Sequence, residues 1–296
     1  TNLLSVGPDP DTGFPDIDAR IRVDTDTGTA GDLGADDFAI NETDGDNCGQ
    51  SIENVAFESG GAVDIVVVFD DTGSMAGEIG TLQDEVTTLT DDIEDAGIDA
   101  RYALVSFDDF AELDQDFTDA STFQTAVNGL SADGGGSFPE DNLDAVAVGT
   151  GNAAAQDGEG GSLSSFRSGA QRVLIDITDA AGHDEGSHDS VGDSGTTRYS
   201  RTDIENQLND GNFSYYAVAE DDDYSGNHDY VSKRTIANNV DDRTFIDIFD
   251  SNFSTILDDI TGFITDEAYV ISYTTSCAIE DGTDRTVDVQ VDDPDQ

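Results

Sequence analysis

Positive charge is what this sequence has least of. Eleven lysines and arginines stand against 66 aspartates and glutamates, a net charge of −55, and Lys233 is the only lysine. Binding a phosphate backbone needs a cationic footprint, so no nucleic-acid partner is expected. Long apolar runs are missing too. The longest is Ile65–Phe69, far short of the roughly 20 residues of a bilayer-spanning helix, so no membrane span is expected. No basic, apolar leader opens the chain, which makes a mature or a cytosolic form the expectation. Cysteine is scarce: Cys48 and Cys277 alone fit either one bridge or two inert thiols.

What is present is acid, spread among regular apolar patterns rather than gathered in a tail. Charge of one sign repels itself and opposes compaction. At molar salt the screening length is only about 3 Å, and the repulsion largely vanishes. A folded chain in a salty medium is therefore expected. The composition is similar to that of proteins from salt-in halophiles such as haloarchaea; the alternative is an acidic cation-binding protein at ordinary salt. With so many acids, a lone carboxylate in a loop says nothing about metal. Only carboxylates joined to hydroxyls and glycines at fixed places in a fold carry weight.

From Val63 onward strand and helix patterns alternate. "VDIVVVF" (63–69) is apolar and β-branched, as in a strand covered on both faces. Residues 78–95 place Ile79, Leu82, Val86, Leu89 and Ile93 at helical spacing. Strands follow at 101–107, 171–178, 213–219 and 243–249. Helices are expected at 121–130, 140–154, 201–209, 229–239 and 253–265. Such alternation predicts an α/β fold, a doubly wound, Rossmann-like, mostly parallel sheet. Its ligands would sit at the carboxyl ends of strands, where strand order reverses.

The flanks differ. Residues 1–62 and 267–296 read as short period-two strands broken by Gly, Pro and Asp turns, the mark of antiparallel sheet with one buried face. The expected organisation is a small β-sandwich built from 1–62 and 267–296, with an α/β domain at 63–266 inserted in it. Cys48 and Cys277 fall one in each flank. A bridge between them would staple the sandwich and imply an oxidising exterior.

Three loops should gather at the end of the sheet: Asp70-Asp71-Thr72-Gly73-Ser74-Met75, Gly134-Gly135-Gly136-Ser137-Phe138-Pro139-Glu140 and Thr178-Asp179-Ala180. They offer hydroxyls from Thr72, Ser74 and Ser137, and carboxylates from Asp70, Glu140 and Asp179. Hard divalent cations take all-oxygen shells. "DDTGSM" resembles the D-x-S-x-S motif of von Willebrand factor type A domains, with threonine at the first hydroxyl. "TDA" resembles the third-loop aspartate of that family, and "SFPEDNLDA" the integrin beta form, whose Pro-Glu loop supplies a glutamate.

The resemblance implies a metal-ion-dependent adhesion site holding Mg2+, or Ca2+ or Mn2+. Thr72 and Ser74 would bind the cation directly, and Asp70 and Asp179 directly or through water. The second-loop ligand stays open between Ser137 and Glu140. Asp71 is read as a surface acid. The neighbouring second metal site of the integrin beta form is not expected, because Gly77 and Glu78 stand where its acids would be.

Other signals are set aside. Gly192-Asp193-Ser194-Gly195 echoes a protease nucleophile loop without the barrel around it. His183 and His188 lack the spacing of a zinc helix. The sequons at Asn41, Asn212 and Asn252 are about what chance supplies.

The expectation is thus an extracellular or virion-surface protein of a halophilic archaeon. It would be no enzyme, but would capture a protein or glycan carboxylate through the cation. The alternative is a structural subunit of a pilus, surface layer or virion, whose metal site stabilises fold or assembly. A third reading, an accessory of a metal-chelatase ATPase, would require a cytosolic chain with reduced cysteines.

Overall fold

The computed structural model describes residues 2–8, 16–22, 24–25, 28–29, 36, 38–43, 47–48, 52–58, 61–135, 140–155, 161–184, 198–221, 230–240, 242–249, 252–265, 268–275 and 286–291. The chain forms two compact units. One comprises Thr1–Ala62, Arg167–Gln171 and Thr265–Gln296; the other comprises Val63–Phe166 and Arg172–Ile264.

Strands dominate the described residues of the first unit. It contains β1 (Asn2–Pro8), β2 (Asp16–Arg22), β3 (Asp24–Thr25), β4 (Gly28–Thr29), β5 (Phe38–Thr43), β6 (Asn47–Cys48) and β7 (Ile52–Glu58), and it closes with β16 (Ala268–Thr274) and β17 (Thr286–Val291). One sheet has the order β1-β2-β16-β7, another β17-β5-β6, with antiparallel pairing throughout. Ala19, Ile21, Ile271 and Tyr273 from the first sheet share one core with Phe38 and Ile40 from the second. Two antiparallel sheets closed over a common apolar face make a sandwich. Ala268 of β16 lies opposite Glu58 of β7. Cys277 lies outside the described residues, as does the side chain of Cys48, and with them the expected bridge.

The second unit runs β8 (Gly61–Asp70), α1 (Ala76–Asp95), β9 (Ile98–Phe107), β10 (Ala111–Thr118), α2 (Ala120–Val127), α3 (Asn142–Gly149), β11 (Gln171–Ile177), β12 (Gly182–His183), α4 (Arg201–Asp210), β13 (Phe213–Ala219), β14 (Tyr230–Val231), α5 (Lys233–Ala237), β15 (Arg243–Asp247) and α6 (Phe253–Thr265). Its six-stranded sheet has the order β10-β9-β8-β11-β13-β15. β11, β13 and β15 are parallel, and β10 turns back antiparallel on β9 at the edge. This is the expected α/β class: a mostly parallel, doubly wound sheet.

The apolar run of β8 explains its central place. Val63, Ile65, Val67 and Phe69 pack on one face with α1, α2 and α6; Val66 and Val68 pack on the other with α3, α4 and α5. Period two combined with burial on both sides leaves Asp64 as the one polar residue between Val63 and Phe69. That carboxylate is fully buried and bound through both oxygens by Arg101, at 2.6 and 3.0 Å. The five apolar residues read along α1 are all buried. The chain leaves β8 toward β9 and β10, then crosses to β11, β13 and β15. Strand order reverses between β8 and β11, which opens a crevice beyond their carboxyl ends.

Three elements depart from their expected form. The helix expected at 140–154 is only Asn142–Gly149; Gly151 follows with a positive φ of 77°, and every residue of α3 is buried rather than one face. The helix expected at 229–239 shrinks to α5, because Tyr230–Val231 is drawn into a two-residue pairing with β12. Edge strand β10, with its exposed and half-buried acids, falls where no element was expected.

Candidate metal site at the sheet's carboxyl edge

Asp70 ends β8 and is fully buried. Its Oδ1 accepts the backbone N–H of Thr72 at 3.0 Å, a turn that aspartate favours because its short side chain reaches its own backbone two residues on. Its Oδ2 accepts the Thr178 hydroxyl at 2.5 Å, which ties the first loop to the loop after β11. Thr178 Oγ1 accepts in turn from Ala180 N–H at 3.0 Å. A single 3-10 turn, Gly73–Met75, then leads into α1.

Thr72 is buried and Ser74 exposed, yet their hydroxyl oxygens stand 3.1 Å apart. Ser74 Oγ donates to Asp179 Oδ1 at 3.0 Å. Asp70, Thr72, Ser74 and Asp179, drawn from loops more than a hundred residues apart, thus form one connected group.

Glu140 joins them from the second loop. Its backbone N–H donates to Ala181 O at 3.0 Å, and its carbonyl accepts from His183 N–H at 2.9 Å, so the third loop and Glu140 are stitched together. The side chain is 5% exposed, and Oε2 has no hydrogen-bond partner among the described residues. Gly135 fixes the packing here. Its φ is +67°, and a Cβ on it would stand 2.7 Å from Thr72 Cγ2 and 3.6 Å from Glu140 Oε1. Ser137, the other candidate on this loop, lies outside the described residues.

The electrostatics record the crowding. Burial pushes the Glu140 carboxyl up to about 8, and Asp70, Asp109, Asp108 and Asp179 add to the rise. Burial also raises Asp70 to about 6, against the lowering hydrogen bonds from Thr178 and Thr72. A buried carboxylate surrounded by its own kind resists ionising unless a cation joins it.

Asp71 is not the free surface acid expected of it. It is half-buried, and its backbone is tied to Phe107 O and to Asp133 N–H at 3.0 and 3.1 Å. Burial raises its pKa to about 7, with Asp108, Asp114, Asp70 and Glu112 contributing. Asp108 and Asp109 were missed as neighbours of the site. The signal was present: "FDDF" puts an acid pair directly after the buried strand β9, as "FDDTGSM" does after β8.

The donor chemistry suits a hard cation: the carboxylates of Asp70 and Asp179 and the hydroxyls of Thr72 and Ser74 are linked, and Glu140, which feels both acids, has one buried oxygen unpaired among the described residues. Among the described residues, no group of three or more His, Cys, Asp or Glu side chains has the arrangement of a metal cluster. The hydroxyls of Thr72 and Ser74 are what complete this set. Among the described residues, no helix is long and apolar enough to cross a membrane.

Residues 64–201 match the family model of the von Willebrand factor A domain. No curated protein sequence matches the chain. Among solved structures, the chain is similar to proximal thread matrix protein 1 of the mussel byssus, at 15% identity over 74% of this chain and 50% of that one, with a TM-score of 0.49. The same byssus protein with a zinc-occupied MIDAS motif gives 16% identity, 70% and 48% coverage and a TM-score of 0.46. BatB from Bacteroides thetaiotaomicron gives 14% identity over 68% of this chain and 97% of that one, with a TM-score of 0.43. The chain spans about half the length of the byssus protein. The matched span, the doubly wound sheet and the loops gathered at its edge support a von Willebrand factor A domain within this chain.

Proposed function

We propose that this chain binds a divalent cation, Mg2+ with Ca2+ or Mn2+ as alternatives, and through it captures a carboxylate on a protein or glycan partner. Asp70, Thr72, Ser74, Glu140 and Asp179 would hold the ion. The observation that carries the reading is Glu140 Oε2, a buried acidic oxygen without a partner among the described residues, together with the linked Asp70–Thr72–Ser74–Asp179 group. When bound, the cation supplies a Lewis-acidic point that keeps attraction for one more anionic oxygen, since two of its protein donors are neutral hydroxyls. The chain's own part is to hold the donors still. Thr178 anchors Asp70, and the Glu140–Ala181 and His183–Glu140 backbone bonds fix the second loop to the third.

On this reading the role is binding, not catalysis, and the place of action is outside the cell, on a cell or virion surface in a salty medium. A local cation would also let so acidic a chain engage an acidic partner that it otherwise repels. One observation favours the structural alternative: Thr72 and Glu140 are almost fully buried, so an ion there could serve the fold or an assembly alone.

The test is calorimetric titration of the full chain with Mg2+ and Mn2+, followed by capture on carboxylate-bearing beads with and without chelator. Cation uptake with chelator-sensitive capture is expected in the wild type. The double variant T72A/S74A should lose both while melting normally. Capture that persists in T72A/S74A or in chelator would overturn the reading. Metal uptake without any capture would leave the structural alternative.

A further inference from the structure

The one lysine of this chain is not on its surface. Lys233 is 1% exposed. It opens α5, directly after β14, and β14 pairs Val231 with Gly182 of β12. That pairing carries the side chain to the third loop. Nζ comes within 2.9 Å of the point that a Cβ on Gly182 would occupy. Gly182 is itself bridged to Glu140, one of the proposed cation ligands.

The ammonium has no hydrogen-bond partner among the described residues. Three other buried polar atoms nearby in the chain's packing share that condition: Ser232 Oγ, Asn142 Oδ1 and Glu140 Oε2. Asp176, fully buried on β11, is satisfied through Asn142 Nδ2 at 2.6 Å and the Tyr215 hydroxyl at 2.7 Å. Burial pulls the Lys233 ammonium down to about 8, while Asp176 and then Asp70 hold it up. The arginine ion pairs among the described residues go elsewhere, to Asp64, Asp144, Glu205 and Asp221. Lys233 therefore stands as a buried positive charge set chiefly against Asp176, with Asp70 the weaker influence.

An ammonium is costly to bury, and a buried pair of opposite charges is often no more stable than apolar side chains filling the same space. Its retention in a chain that carries no other lysine calls for a role that needs the charge.

We propose that Lys233 is a resident counter-cation beneath the metal loops, which sets how strongly the site at Asp70 holds a divalent ion. The proposal rests on the reading of that site as a cation site. In the empty protein the ammonium offsets Asp70 and Asp176, so the loops keep their shape. When a divalent ion binds, the two like charges repel through a poorly screened interior, and the ion is held more loosely and reversibly. Asp176 works in the opposite sense, shielding the ion from the ammonium. Lys233 is a positioning residue here: it acts through the local field and need not touch the ion.

The test is Mn2+ titration of the full chain at fixed pH and ionic strength, in the wild type, K233M and D176N. K233M should bind Mn2+ about tenfold tighter or more, and D176N severalfold more weakly, as removal of a positive and a negative charge near the ion requires. Without metal, K233M should melt below the wild type and recover most of the loss on Mn2+ addition. A packing role alone would weaken binding in both variants, so opposite signs are the signature. If the wild type binds Mn2+ and K233M matches it, the counter-cation role is overturned and the metal site stands. If the wild type takes up no Mn2+, both fall. Should K233M fail to fold, tighter or unchanged binding in D176N overturns the proposal by itself.

Discussion

Glu140 and Asp70 are acids that the folded chain keeps partly protonated near neutrality. Their carboxyls lie at about 8 and about 6, above the ordinary values of 4.5 and 3.8. A raised acid favours the fold while it is protonated in both states, below the ordinary value. That contribution is lost as pH rises through the folded value. In chelator, the melting temperature should therefore fall between about pH 4 and pH 8, and E140Q should flatten the fall. Saturating Mg2+ should remove most of it, because the cation pairs with the ionised form. A pH-independent melting temperature in chelator would contradict the burial of these two carboxyls. At this scale the gathering of loops was readable where polar residues follow on a strand end: Asp70, Thr72, Ser74 and Asp179 are hydrogen-bonded together. It was not readable for Asp71 or Lys233. Burial of a charged residue is decided by partners far along the chain, here Asp108 and Gly182, and leaves no local pattern.

Among the elements, those with strong internal periodicity were legible. β8 and α1 follow from the spacing of their apolar residues, and both pack as that spacing requires. Short pieces held by distant partners were not. The β12–β14 pairing joins Gly182 and His183 to Val231 and Tyr230, and nothing in either two-residue stretch announces the other. β10 was hidden by its acids, which an edge strand tolerates because one rim faces water. The second loop belongs to this scale as well. Gly135 adopts a left-handed conformation, and a methyl group there would press on Thr72. G135A should cost about 1–2 kcal/mol from the backbone alone. It should also weaken Mn2+ binding, since the displaced Thr72 carries a proposed donor. Urea denaturation and calorimetry read the two effects separately, and an unchanged Mn2+ affinity would mean that the loop is not shaped around the site.

For the whole molecule, net charge sets the working conditions. At −55 the chain repels itself, and the range of that repulsion shrinks from about 10 Å at 0.1 M salt to about 3 Å at 1 M. The melting temperature should rise steeply with NaCl or KCl over this interval. A flat response would remove the case for a salt-adapted chain. The two-unit organisation carries a different consequence, through one register pair. Glu58, the last residue of β7, lies opposite Ala268, the first of β16, and the whole α/β span runs between them. The long excursion thus begins and ends at neighbouring positions of one ladder. A tight hairpin could close the same gap without shifting a rung. Along the strands, then, the excursion leaves and rejoins the ladder at one residue pair, while Arg167–Gln171 within it group with the first unit.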